Sequence, residues 1–113
     1  MLGQSPQRDR DIEAVQRMIV NCASVGIQAV KYNMSLLGWV RSGETPGHGD
    51  ARNSSWRLSE AQPASPLTRA GVVDADTYWE RIEYFLARVI PVAEPHRIRM
   101  ACHPHDPGMP ALG

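Results

Sequence analysis

The stretch Gly26-Ile27-Gln28-Ala29-Val30-Lys31-Tyr32-Asn33 decides the fold. Residues 27–32 are short in run and rich in β-forming types, which predicts a strand. Just upstream, Ile12, Val15, Met18, Ile19, Cys22 and Val25 recur at offsets of three and four. That spacing gathers them on one face of a helix over 9–25, with Arg10, Glu13, Arg17 and Asn21 elsewhere. Gly26 sits where such a helix ends, because glycine enters the left-handed conformation without a steric cost. The first unit therefore reads helix, tight turn, strand.

Further along, the plan repeats. Asp74 or Thr77 is placed to cap a second helix, and Thr77 with Glu80 fits a capping box. Ile82, Phe85, Leu86, Val89, Ile90 and Ala93 trace its apolar face. Pro91 falls inside this pattern, so a kink or an early end is expected there. Beyond Glu94-Pro95-His96, the run Ile98-Arg99-Met100-Ala101-Cys102 predicts a second strand. A repeated helix–strand unit implies a parallel α/β sheet or barrel with its helices outside.

Between the units, about 35–73, periodicity is lost and Gly43, Pro46, Gly47, Gly49, Pro63 and Pro66 accumulate. A connection this long, following the C-terminal end of a strand, reads as an active-site or binding loop. A disordered insertion is the alternative. Composition narrows the partners. Twelve basic residues balance twelve acidic ones, so neither nucleic acid nor an anionic membrane is favoured. With 42% apolar residues, the 113-residue chain has material for a core, but no apolar run approaches a membrane span. Cys22 and Cys102 form no disulfide framework, and the polar start after Met1 does not resemble a signal peptide. These features point to a soluble, reducing, cytoplasmic setting and a small-molecule or protein partner.

The densest chemistry is Cys102-His103-Pro104-His105-Asp106-Pro107, directly after the second strand. Imidazole and carboxylate together suit a divalent metal or general acid/base work. Alternation along an extended segment lets His103 and His105 face one side, and the prolines stiffen it. A solvent-facing turn with incidental histidines is the other reading. Tyr32 and Asn33 end the first strand, where polar side chains meet either substrate or structural partners. Cys22 reads as a packed core thiol and Cys102 as a buried strand residue. Trp39, Trp56 and Trp79 read as packing residues. Arg41, Arg52 and Arg69 are able to grip a carboxylate, or are simply solvated.

At these residues a family resemblance emerges. Gly26-Ile-Gln-Ala-Val-Lys-Tyr-Asn33 resembles the strand of mannonate dehydratases that ends in Tyr-Asn. Tyr78-Trp-Glu-Arg-Ile-Glu-Tyr-Phe-Leu-Ala-Arg-Val-Ile-Pro-Val-Ala-Glu94 is similar to their following helix. Arg99-Met-Ala-Cys-His-Pro-His-Asp-Pro107 resembles their strand with a His-Pro-Asp-Asp-Pro type of metal motif. Pro46-Gly-His-Gly49 and Pro66-Leu-Thr-Arg-Ala-Gly71 fit the variable loop between them.

The resemblance implies a partial (β/α)8 barrel, a single partial domain over 1–113 with two helix–strand units and a long βα loop. It implies dehydration of D-mannonate to 2-keto-3-deoxy-D-gluconate with a divalent metal, Mn or Fe. His103 matches the family's first metal-binding histidine. His105 stands where the commoner motif has aspartate, and Asp106 matches the second carboxylate. With Tyr32 and Asn33, these two residues are expected at the sugar-acid pocket. The family's remaining ligands come from later strands, so the chain is expected to be an internal fragment, inactive alone and prone to self-association or homo-oligomerisation. Two alternatives stand beside this one: a sugar isomerase or epimerase on the same barrel, and a non-catalytic α/β binding module.

Overall fold

A computed structural model of the chain describes residues 4–36, 41–60 and 67–105. It divides into two compact units, one of Met1–Met34 with Val72–Pro104, the other of Ser35–Gly71 with His105–Gly113.

The first unit opens with helix α1, Gln7–Ser24. Strand β1, Ala29–Tyr32, follows. Both lie within a residue or two of where periodicity puts them. Between them Gly26 adopts φ 81°, and its N–H donates to the Ala23 carbonyl while Ile27 N–H donates to that of Cys22. These two bonds satisfy carbonyls that a helix end would otherwise leave without partners. The strand starts two residues later than Ile27, which is 47% exposed. Val25, expected on the apolar face, is the C-cap and 73% exposed, because the chain has already turned away.

The unit's second half comprises helix α2, Ala75–Ala93. Its N-cap is Asp74, whose carboxylate accepts from Thr77 N–H at 2.7 Å. Thr77 is therefore the donor in the first turn, and the capping-box alternative with Glu80 is not the one adopted. Pro91 does not end the helix, which runs on to Ala93. Lying one turn from the end, the proline removes only the bond its N–H would have given to Ala87.

Strands β2, Gly43–Pro46, and β3, Arg52–Ser55, pair with each other in the second unit, and the partner of β1 is the last strand, β4, Arg99–Cys102. The pairing is parallel, with Ala29↔Arg99, Val30↔Met100, Lys31↔Ala101 and Tyr32↔Cys102 in register. Ile12, Ile19, Val30, Phe85, Val89, Ala93 and Ile98 form one buried cluster, so both helices contribute to the core that covers the sheet. Ile19 and Val89 are fully buried, and each such side chain contributes about 1.5–3 kcal/mol of apolar transfer. Outside this cluster, Tyr84 of α2 joins the two helices: its hydroxyl donates to Asp9 at 2.7 Å, and the guanidiniums of Arg8 and Arg88 stack on its ring.

The second unit corrects the expectation of an unpatterned loop. Strands β2, Gly43–Pro46, and β3, Arg52–Ser55, pair antiparallel. A short 3-10 turn, Leu58–Glu60, follows. The hairpin bend closes with Gly47 N–H donating to the Ala51 carbonyl at 2.7 Å. A Cβ at Gly47 would lie 2.5 Å from the Asn53 side-chain amide, which would have to swing aside, and 3.2–3.3 Å from Ala51. Arg52 pairs with Glu44 across the hairpin at 3.6 Å, which gives that arginine a structural partner.

Candidate functional site

The C-terminal ends of β1 and β4 lie side by side, because the parallel register pairs Tyr32 with Cys102. The ladder extends one step further, with His103 N–H donating to the Tyr32 carbonyl at 2.8 Å. Three of the residues singled out in the sequence, Tyr32, Asn33 and His103, are thus brought to one edge of the sheet. His103 is half-buried and Asn33 exposed. His105, also half-buried, belongs to the second unit, and Asp106 lies outside the described residues.

Tyr32 faces the helices. Its ring leans on Phe85 with centroids 5.5 Å apart and planes at 50°. Burial pushes its hydroxyl above the usual tyrosine range, and the Cys102 sulfur adds to the rise through its charge and as an acceptor. A hydrogen bond donated by the neutral phenol favours the protonated form. Alternation along a strand sends neighbouring side chains to opposite faces, so Asn33 and His103 follow the face of Lys31 and Ala101.

Two features were not legible in the sequence. Cys102, expected to be buried, is an exposed free thiol at the end of an edge strand. Tyr78, in the first turn of α2, donates its hydroxyl to the Met34 carbonyl at 3.2 Å and so ties the helix start to the segment leaving β1. Burial, then the Cys102 charge, raise the Tyr78 hydroxyl too. Its place in the Tyr78-Trp-Glu run was visible; a tertiary contact across 44 residues was not. The other tryptophan expectations divide: Trp56 is half-buried, Trp79 is 62% exposed, and Trp39 lies outside the described residues. Cys22 packs against the core as expected.

Among the described residues, no three His, Cys, Asp or Glu side chains gather as a metal site. The edge offers a single imidazole, that of His103, as a donor suited to a borderline divalent metal. No helix among the described residues is long and apolar enough to cross a membrane.

The family model for D-mannonate dehydratase (UxuA) matches residues 1–55 and 62–113. The chain belongs to the D-mannonate dehydratase family. A mannonate dehydratase of Streptococcus uberis is 30% identical over 96% of this chain. One from Streptococcus agalactiae serotype Ia is 27% identical over the same share. The crystal structure of mannonate dehydratase from Streptococcus suis serotype 2 superposes with a TM-score of 0.77 at 28% identity, covering 92% of this chain. The chain spans 38% of the length of the two curated relatives and 34% of the crystallised one. Its mixed α/β architecture is therefore that of a segment of this family's fold.

Proposed function

We propose that the chain supplies part of the substrate- and metal-binding rim of a D-mannonate dehydratase, a lyase that converts D-mannonate to 2-keto-3-deoxy-D-gluconate in the cytoplasm. Family membership carries this reading, and the adjacent strand ends bearing Tyr32-Asn33 and His103 support it. A parallel strand pair linked through a helix is the repeating unit of a (β/α)8 barrel, whose catalytic groups sit at strand C-terminal ends. In this reading residues 35–73 form a long βα loop of that barrel.

His103 is the residue proposed to hold a divalent metal, Mn or Fe. Such an ion, when bound, would acidify the proton beside the sugar-acid carboxylate. Asn33, His105 and Asp106 orient the hydroxyls and carboxylate of D-mannonate. Tyr32 shapes the pocket from the helix side, its neutral phenol held on Cys102 and Phe85.

The test is a graft in which residues 1–113 replace the matching segment of the Streptococcus suis enzyme. The grafted enzyme, supplied with Mn, is expected to form the keto-deoxy acid, and the 113-residue chain alone is expected to form none. A folded graft without activity would reject the reading. Turnover by the isolated chain would reject the view that ligands beyond His103 are needed.

A further inference from the structure

The opposite end of the β1–β4 sheet, where the strands begin, holds a cavity of about 420 Å³. Gly26, Gln28, His96, Arg97 and Arg99 are among its lining residues, and among the described residues no carboxylate lines it. We propose that this cavity is a second binding site, for a small phosphorylated or carboxylated metabolite, separate from the rim at His103.

The first argument is charge. Arg97 and Arg99 both line the opening, and among the described residues neither forms a salt bridge. Guanidinium forks bind oxyanions in bidentate fashion. The imidazole of His96 donates from Nδ1 to the Val92 carbonyl at 2.9 Å, leaving Nε2 as its remaining polar atom. Gln28 adds an amide. The volume falls within the range of small-molecule sites.

The second argument is backbone strain. Both helix–strand junctions close with the same bond pair. At the second, Arg97 N–H donates to the Glu94 carbonyl at 2.9 Å and Ile98 N–H to that of Ala93 at 3.0 Å. The left-handed position is Gly26 in the first junction and Arg97, at φ 54°, in the second. Glycine would occupy that position without strain, yet the chain places an arginine there. Strain of this kind concentrates where a side chain is needed for binding. The strained Arg97 and its neighbour Arg99 line the same cavity.

The two ends of the sheet are three residue steps apart, about 10 Å, so occupancy here does not require contact with the His103 rim. This inference stands independently of the dehydratase reading.

Inorganic phosphate is the probe, titrated calorimetrically into the 113-residue chain at ionic strength held constant with chloride. One phosphate per chain is expected to bind saturably, and Arg97→Gly and Arg99→Gln are each expected to weaken it about tenfold or more. Arg97→Gly suits the left-handed backbone, and circular dichroism checks that it keeps the fold. Competition by acetate would extend the site to carboxylates; phosphate binding undisturbed by acetate would restrict it to phosphates. Absence of saturable binding, or equal binding by both variants, would overturn the proposal.

Discussion

The amide of His103 is hydrogen-bonded to the carbonyl of Tyr32 across 2.8 Å, so the imidazole-bearing residue is fastened to the end of the neighbouring strand. The bond is made by backbone alone. It positions His103 whatever its side chain is, and it separates the histidine's place in the fold from its chemistry.

That separation gives the first prediction. His103→Ala in the grafted enzyme keeps the ladder and is expected to leave the melting temperature nearly unchanged, while Mn binding is lost. Calorimetry reads the metal and a thermal melt reads the fold. Undiminished Mn affinity in a stable variant would remove His103 from the ligand set.

A second prediction concerns neighbours on α1. Ile19 is fully buried and Met18 is 42% exposed. Ile19→Ala is expected to cost about 2–5 kcal/mol, in the range for emptied core positions. Met18→Ala should cost under about 0.5 kcal/mol, as a surface change. Urea unfolding of the two variants makes the comparison, and equal losses would contradict the packing direction of α1.

The pair Asp9 and Tyr84 predicts an acid dependence. Hydrogen bonds from Ser5, then from Tyr84 and Arg8, hold the Asp9 carboxyl down to about 2. An unfolded aspartate titrates at about 3.9. The folded state thus favours the ionised form, and its contribution is complete above the unfolded value and lost as pH falls through about 2. Tyr84→Phe keeps the ring between Arg8 and Arg88 but removes the donor. The wild-type advantage should be seen at pH 6 and vanish in strong acid. A constant difference in melting temperature across that window would mean that the bond does not favour the carboxylate.

The helices and the parallel pair were legible because burial writes a period into the sequence, as at Ile12, Ile19, Phe85 and Val89. That period overcounts where two apolar residues are adjacent. Met18 beside Ile19, and Ile90 beside Val89, point about 100° away from their neighbours and are 42% and 40% exposed. The β2–β3 hairpin wrote no such period. Gly43-Glu-Thr-Pro46 and Arg52-Asn-Ser-Ser55 hold no apolar side chain larger than proline, and backbone pairing with a Gly47 turn defines them. At the candidate site, strand-end histidine and Tyr-Asn were visible in order. The side of the sheet each faces, and the exposure of Cys102, depend on which edge is left open, which is a property of the assembled pair.

The last prediction tests the strain at Arg97 directly. A non-glycine residue in the left-handed region carries roughly 1–2 kcal/mol of steric cost. Replacing it with glycine relieves that cost, but glycine gives up about 0.5–1 kcal/mol more on ordering. The net effect of Arg97→Gly is a gain of about 0.5 kcal/mol, or a rise of about 2–4 °C in melting temperature for a domain of this size. The mirror experiment, Gly26→Ala at φ 81°, should destabilise, since the alanine takes on the steric cost while losing glycine's unfolded freedom only in part. Opposite signs at the two junctions are the expected result. A loss of stability in Arg97→Gly would mean that the arginine side chain makes contacts worth more than its strain.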